Sequence, residues 1–402
     1  MNRNLGRFYS ALLFGSTVCA GAPVFADCED LAPSPSCGAA PSAHFSADGT
    51  LWVSFVDRGH VWISRSSDQG RHFAPATRVN TEPEKIYADG ENRPVLGTGR
   101  NNSLFVAWTR DTEAAYSGDI RFTHSSDGGN SFAPVRTIND DGLLTSHRFV
   151  ALRVAQDGTL YLAWLDKRDQ VAARARGEDY DGAALYYTLS TDNGTSFLPN
   201  RKMADHSCEC CRIALGDAGK GAVQAFWRQL FEDGAVRDHA IARLDQSGTG
   251  TVLRATHDDW RIEGCPHHGP AIHADGQGWH LAWFSNGTRQ RGVLYGYFDA
   301  ASGTTQQVHT LDAQPAGGHP AVLANGNSVW VAWNRFNGTH MQLMLSQSFD
   351  AGASWSPARV LLETSSTADH PQLLADGSRA FLAWHTANEG YRLLPLEPST
   401  GE

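Results

Sequence analysis

The sequence predicts an all-β fold, a β-propeller of seven four-stranded antiparallel blades, from two repeats that run in phase. The first is Ser-x-Asp-x-Gly-x-x-aromatic, found at Ser66 to Phe73, Ser125 to Phe132, Ser190 to Phe197 and Ser348 to Trp355. The second is an alternating strand that closes on an aromatic residue: Phe55, Trp108, Trp164, Trp227, Trp283, Trp333 and Trp384, spaced 50 to 63 residues apart. That spacing suits one four-stranded blade with its loops. Alternation of apolar and polar residues pervades the chain, and no long stretch carries a 3.6-residue apolar period.

Each unit reads in the same order: an inner strand, the strand ending in an aromatic, a third strand such as Val61 to Ser66, the Ser-x-Asp turn, and an outer strand such as Thr77 to Asn80. Asp68, Asp127, Asp192 and Asp350 are expected to fix the four turns, because a turn Asp accepts bonds from backbone N–H groups a few residues on while Gly supplies φ > 0. Phe73, Phe132, Phe197 and Trp355 should pack beneath them. The turns near Asp245 and Asp299 keep only remnants of the pattern. The last unit, from about His370, runs out of chain after its third strand, so closure calls for a partner from the N-terminal end.

Residues 1–26 read as an export signal, with Arg3 and Arg7 before an apolar run and Val24-Phe25-Ala26 at the cleavage positions. Residues 27–40 form an N-terminal loop segment in which Cys28 and Cys37 are placed to form a disulfide, and residues 41–402 form one propeller domain. Export implies a periplasmic or secreted product, and no other stretch is apolar enough to span a membrane. Loss of Arg3 and Arg7 takes the formal charge from −10 to −12, which disfavours nucleic acid as a partner. An anionic ligand would need a local basic pocket.

Within a blade the chain reverses at every strand, so the lead-ins to the inner strands surround the channel on the face opposite the Ser-x-Asp turns. Those lead-ins are Asn92-Arg93-Pro94, Ser146-His147-Arg148, Cys210-Cys211-Arg212, Pro266-His267-His268-Gly269-Pro270, Gly318-His319-Pro320 and Asp369-His370-Pro371. Cys, His and Arg therefore crowd the channel mouth. The densest run is His206-Ser207-Cys208-Glu209-Cys210-Cys211-Arg212, followed in the next unit by Cys265. Thiolates and imidazoles favour copper or zinc. The expected ligands are Cys208, Cys210, Cys211, Cys265, His267, His268, His319 and His370, with Cu(I) the first metal to test in an exported protein. The competing reading is disulfide formation, for which Cys208 to Cys265 is a cross-blade staple that leaves Cys210 and Cys211 over.

The Ser-x-Asp-x-Gly-x-x-aromatic pattern resembles the Asp box of the sialidase-like, or BNR-repeat, β-propeller families, and its four copies span most of the chain. Six blades, the number in sialidases, is the alternative count that this resemblance brings. It also implies an exo-glycosidase, in which three arginines grip a carboxylate, a Tyr paired with Glu attacks the anomeric carbon and an Asp serves as acid/base. The family's aromatic-Arg-Ile/Leu-Pro signature has its nearest match at Asn92-Arg93-Pro94, where Arg directly precedes Pro and no aromatic stands before it. Arg110, Arg148, Arg168, Arg212, Arg228 and Arg335 are further arginines for that face. Asp111, Asp166, Asp169, Glu178, Asp179 and Tyr180 are the acidic and phenolic candidates, the last three within an insertion over residues 166–182.

A third class is a non-catalytic platform for a glycan or a protein, with Trp260, in the run leading to Cys265, as its best aromatic. Arg93, His147, Arg148, Arg212 and Trp260 are the substrate-binding candidates on any of these readings, and the residues leave open whether catalysis occurs.

Overall fold

The computed structural model describes Cys28, residues 31–232 and residues 234–396. The expected export signal lies outside the described residues. Seven antiparallel sheets form a ring, each adding strands outward from the channel in chain order. The inner strands are Ala39–Phe45, Val95–Thr98, His147–Val154, Ala214–Asp217, Ala271–Ala274, Gly317–Asn325 and Gln372–Ala375. The aromatic-ended strands are all second in their sheets, from Leu51–Asp57 in the first blade to Ala380–Thr386 in the seventh. The fourth blade splits its outer edge between Gly248–Thr249 and Leu253–Arg254, and the seventh sheet holds three strands among the described residues.

The aromatic-ended strands are the core. Phe55 and the six tryptophans are essentially inaccessible to solvent. A buried indole N–H must find an acceptor, and each of the six does so at the mouth end of its blade. Trp108 donates to Glu84 (2.8 Å), Trp164 to Asp166 (2.9 Å), Trp227 to Gln229 (2.7 Å), Trp283 to Asp258 (2.8 Å), Trp333 to Asp312 (2.9 Å) and Trp384 to Asn334 (3.1 Å). Several acidic residues near the mouth are thus fixed as structural acceptors, Asp166 among them.

The four Ser-x-Asp turns share one bonding scheme. In the second blade Ser125 Oγ donates to Asp127 Oδ1 (2.7 Å) and accepts from Gly129 N (2.9 Å), while Asp127 Oδ1 accepts from Ser131 N (3.0 Å). The same bonds recur at Ser66, Ser190 and Ser348. The trailing aromatics pack beneath their own turns and also reach the preceding blade. Phe197 meets Phe122 edge-on at 4.9 Å, Trp355 meets Tyr295 at 4.6 Å, and Phe73 meets Tyr391 of the seventh blade at 5.9 Å. Each turn is therefore a joint between neighbouring blades.

The seventh blade meets residues from the N-terminal end, as expected, but not as an added strand. No N-terminal strand pairs with Gly390–Leu396 among the described residues, and the ring shuts through side chains. Gln372 accepts from Ala43 N (3.0 Å) and donates to Pro41 O (2.7 Å), and Ser36 O faces His385 Nε2 at 3.2 Å. Cys28 and Cys37 are joined by a disulfide. The insertion carries a short helix, Arg168–Ala175, and no helix among the described residues is long and apolar enough to cross a membrane.

Candidate functional site at the channel mouth

The loop preceding the second blade swings over the mouth because Asp89 Oδ1 caps the backbone N–H groups of Glu91 and Asn92, both at 2.9 Å. This turn aims Glu91 at the hub, where its side chain is 5% exposed. There the carboxylate collects four blades. Oε2 accepts from Arg212 N (2.9 Å) of the fourth blade and Gly269 N (3.0 Å) of the fifth, while Oε1 pairs with the Arg212 guanidinium and with His319 Nδ1 (3.0 Å) of the sixth. His370 of the seventh stands 3.5 Å from Oε1, off the line of a hydrogen bond. Burial pushes the Glu91 carboxyl up, but Arg212, His319 and His370 outweigh it and hold it well below the usual range.

The imidazoles form a ladder across the mouth: His370 stacks on His319 at 3.6 Å, His319 on His268 at 4.5 Å, and His268 on Phe284 at 4.3 Å. Gly90, Gly269 and Gly318 allow this density, since a Cβ at each would collide with His370, Arg212 and His268 respectively. Burial, then the neighbouring His319 and cationic groups, push His268 down to about 3 and His370 well below the imidazole range. Both rings are therefore neutral at neutral pH, and both have an Nδ1 without a hydrogen-bond partner. Beneath Glu91 the channel holds a cavity of about 330 Å³. A wider opening of about 1130 Å³ on the opposite face is lined by Arg153, Asp217, His273 and Trp279.

The eight expected metal ligands do not form one centre. Cys208, Cys210 and Cys211 are buried together, with Cys208 Sγ 3.7 Å from Cys210 Sγ and 3.8 Å from Cys211 Sγ, and none is in a disulfide. Cys265 and His267 are exposed and lie within ligand distance of Cys210. His268, His319 and His370 belong to the separate Glu91 cluster. There Glu91, His319 and His370 lie within ligand distance of one another, around a carboxylate that already carries a guanidinium and two backbone N–H groups. Hydrogen bonds from Cys210 and Cys211, against burial and with Arg228 and Arg237, hold the Cys208 thiol well below its ordinary value; the other two thiols are pushed up.

Other candidates are placed differently from expectation. Trp260 is 5% exposed and lies under the Arg228 guanidinium (4.6 Å), so it is wall, not platform. His147 is fully buried between Asp141 Oδ2 (3.0 Å) and Asp166 Oδ1 (3.7 Å); burial opposes its charge, but these carboxylates outweigh burial and raise its pKa. The arginines do not converge as a triad. Arg93 pairs with Asp369 (2.8 Å), Arg212 with Glu91, Arg168 with Asp166 (2.8 Å) and Arg110 with Asp119, while Arg335 faces Asp312 (3.4 Å). Arg228 is buried against backbone carbonyls of Arg237, His268 and Phe284. Arg148 lies over the Tyr87 ring at 4.2 Å, a pairing that flanks the mouth. Tyr180 donates to Asp205 (2.8 Å) out in the insertion. Asp111 salt-bridges Lys85, and Asp169 accepts from Tyr186 (2.9 Å), so both are taken up locally. Glu178 pairs with Arg176 on the exposed insertion.

Sequence reasoning missed Glu91, Tyr87 and Arg237. Glu91 had one usable signal, its place two residues before Arg93 in a lead-in already assigned to the mouth.

The fold and its mouth define a seven-bladed propeller with an imidazole-rich hub. No protein-family profile matches the sequence, and no curated protein matches it. Among solved structures, a PL25 ulvan lyase bound to GlcA(1-4)Rha3S is similar, with TM-score 0.56, 11% identity, and coverage of 89% of this chain and 94% of the other. The polysaccharide lyase Uly1 is similar with TM-score 0.53, 9% identity and 90% coverage of both chains. The NanB sialidase of Streptococcus pneumoniae matches with TM-score 0.47, 9% identity and coverage of 81% and 67%. At these identities the likeness concerns fold alone.

Proposed function

We propose that this chain is an exported, glycan-acting propeller that takes an anionic polysaccharide at the channel mouth, and that its chemistry there is elimination at a uronate. The carrying observation is the stack of His268, His319 and His370 beside Arg212 at the channel mouth. Elimination needs a base for the proton on the carbon beside the sugar carboxylate and a donor to hold that carboxylate as charge develops. As the imidazole takes the proton, the carbon–oxygen bond to the leaving sugar breaks, a double bond forms between the two ring carbons, and the departing oxygen takes a proton from solvent water. An imidazole of this stack is positioned for the first role, and Arg148 beside Tyr87 for the second. Polysaccharide lyases of like fold motivate the substrate class. The Cys28–Cys37 disulfide accords with an oxidising, exported setting.

Sialidase-type hydrolysis is the second reading, favoured by the four Ser-x-Asp turns, which we read as Asp boxes. It needs a carboxylate-gripping set of arginines, and here most of the candidates are committed to protein acceptors. The test is turnover of glucuronate-containing polysaccharides, followed by the ultraviolet absorbance of the unsaturated product, beside a fluorogenic sialoside. His370→Ala should lower kcat by about 10²-fold or more, in keeping with loss of a general base. Sialoside turnover without unsaturated product would replace elimination by hydrolysis. Loss of activity in Arg153→Ala but not in His370→Ala would move the site to the opposite face.

A further inference from the structure

We propose that Cys208, Cys210 and Cys211 hold one soft d¹⁰ metal ion, Cu(I) or Zn(II), and that exposed Cys265 and His267 form its port. This centre is independent of the glycan reading.

The geometry carries it. Four thiols gather in a chain where one staple would use two, and the structure leaves all four unpaired. The separations of 3.7 and 3.8 Å from Cys208 Sγ are far beyond a disulfide. They match the edge of a tetrahedron whose metal–sulfur bonds are about 2.3 Å, for which sulfur atoms lie about 3.8 Å apart. The three sulfurs sit on one short loop whose ends are fixed. Cys208 N donates to Arg228 O (3.0 Å), Glu209 pairs with Lys167 (2.5 Å), and Arg212 is anchored on Glu91. A second triad, Cys210, Cys265 and His267, shares Cys210 with the first and opens to solvent. An arriving ion thus meets a thiol and an imidazole at the surface, and Cys210 belongs to both sets.

The donor set selects the metal class, since buried thiolates favour Cu(I) and Zn(II) over oxygen-seeking ions. Arg237 Nη1, 3.6 Å from Cys208 Sγ, and the nearby Arg228 offset the negative charge that several thiolates bring. Binding is coordination without oxidation: each ligating thiol releases its proton to solvent as its sulfur lone pair bonds the ion.

The test uses the exported protein purified without oxygen. Copper and zinc are counted by elemental mass spectrometry. The reduced protein then competes with bicinchoninate for Cu(I), held reduced by ascorbate, and with a pyridylazo dye for Zn(II). One ion per chain is expected, retained against one of the chelators and protecting Cys208, Cys210 and Cys211 from alkylation. Whichever metal is retained identifies the cargo. Cys211→Ser should weaken retention by about 100-fold and the exposed Cys265→Ser by about 10-fold. If Cys211→Ser fails to fold, X-ray absorption of the loaded wild type decides: a sulfur shell near about 2.3 Å supports the site, and a nitrogen and oxygen shell overturns it. Native protein with these cysteines joined in disulfides, or reduced thiols alkylated at full rate with both ions present, also overturns it.

Discussion

Glu91 is the residue on which the mouth depends, because one carboxylate satisfies donors from three blades and lies against a fourth. Removing it would leave Arg212 Nη1 and the backbone N–H groups of Arg212 and Gly269 without their acceptor, the guanidinium keeping only the Pro320 carbonyl. Breaking a buried pair in this way costs about 3–5 kcal/mol. Glu91→Ala should lose stability by that amount in urea unfolding, and a loss under about 1 kcal/mol would contradict the hub. The pH dependence has a definite sign. A carboxyl held below its ordinary 4.5 contributes stability that is present above that value and lost as pH falls through the folded-state pKa. His268 acts over a higher window. Its folded value of about 3 against 6.5 means the unfolded chain binds a proton that the folded chain refuses, so stability declines as pH falls from 6.5 towards 3. His268→Gln should flatten that decline, as read from urea midpoints at successive pH values.

At the scale of elements, the Ser-x-Asp turns couple blades through glycine as much as through the aromatics. Gly352 has φ +91° and stands so close to Tyr295 that a Cβ would fall inside its hydroxyl, whereas Gly219 has φ +64° with open space around it. Ala at Gly219 should cost about 1 kcal/mol for the left-handed backbone alone. Gly352→Ala should cost about 2–4 kcal/mol, because the overpacking penalty adds to it. Equal melting temperatures for the two variants would show that the turn does not press on the preceding blade.

These elements were legible in the sequence because their determinants are local. Ser, Asp, Gly and the aromatic lie within one turn, and alternation marks each strand. The direction in which Phe197 or Trp355 packs was not legible, since only the ring places the preceding blade beside the turn. Glu91 was illegible for the same reason, its partners Arg212, Gly269 and His319 standing 121, 178 and 228 residues away. The lead-in triplets were found because Pro and His recur at equivalent positions, but their division into a sulfur group and an imidazole group depends on side-chain direction. Trp260 read as a site aromatic from its neighbours in sequence and turned out to be roofed by Arg228.

At the scale of the whole molecule, the ring is shut at its mouth by Arg93, which pairs with Asp369 of the seventh blade at 2.8 Å and donates to Pro41 O of the first at 3.0 Å. Both side chains of that pair are nearly inaccessible. Arg93→Met should therefore destabilise by about 3 kcal/mol, seen as a lowered urea midpoint, with the Ala43 amide hydrogen, which Gln372 accepts at the closure, exchanging faster. The hub and the closure make the mouth a rigid platform, which suits recognition of a stiff, charged chain. The most direct measurement is calorimetric titration with a glucuronate-containing tetrasaccharide and its carboxyl-reduced, neutral counterpart. The account predicts that the anionic sugar binds, that added salt weakens it, and that His370→Ala and Arg148→Ala each reduce affinity about tenfold or more while the fold is kept. Equal affinity for the neutral sugar, or binding untouched by both substitutions, would contradict it.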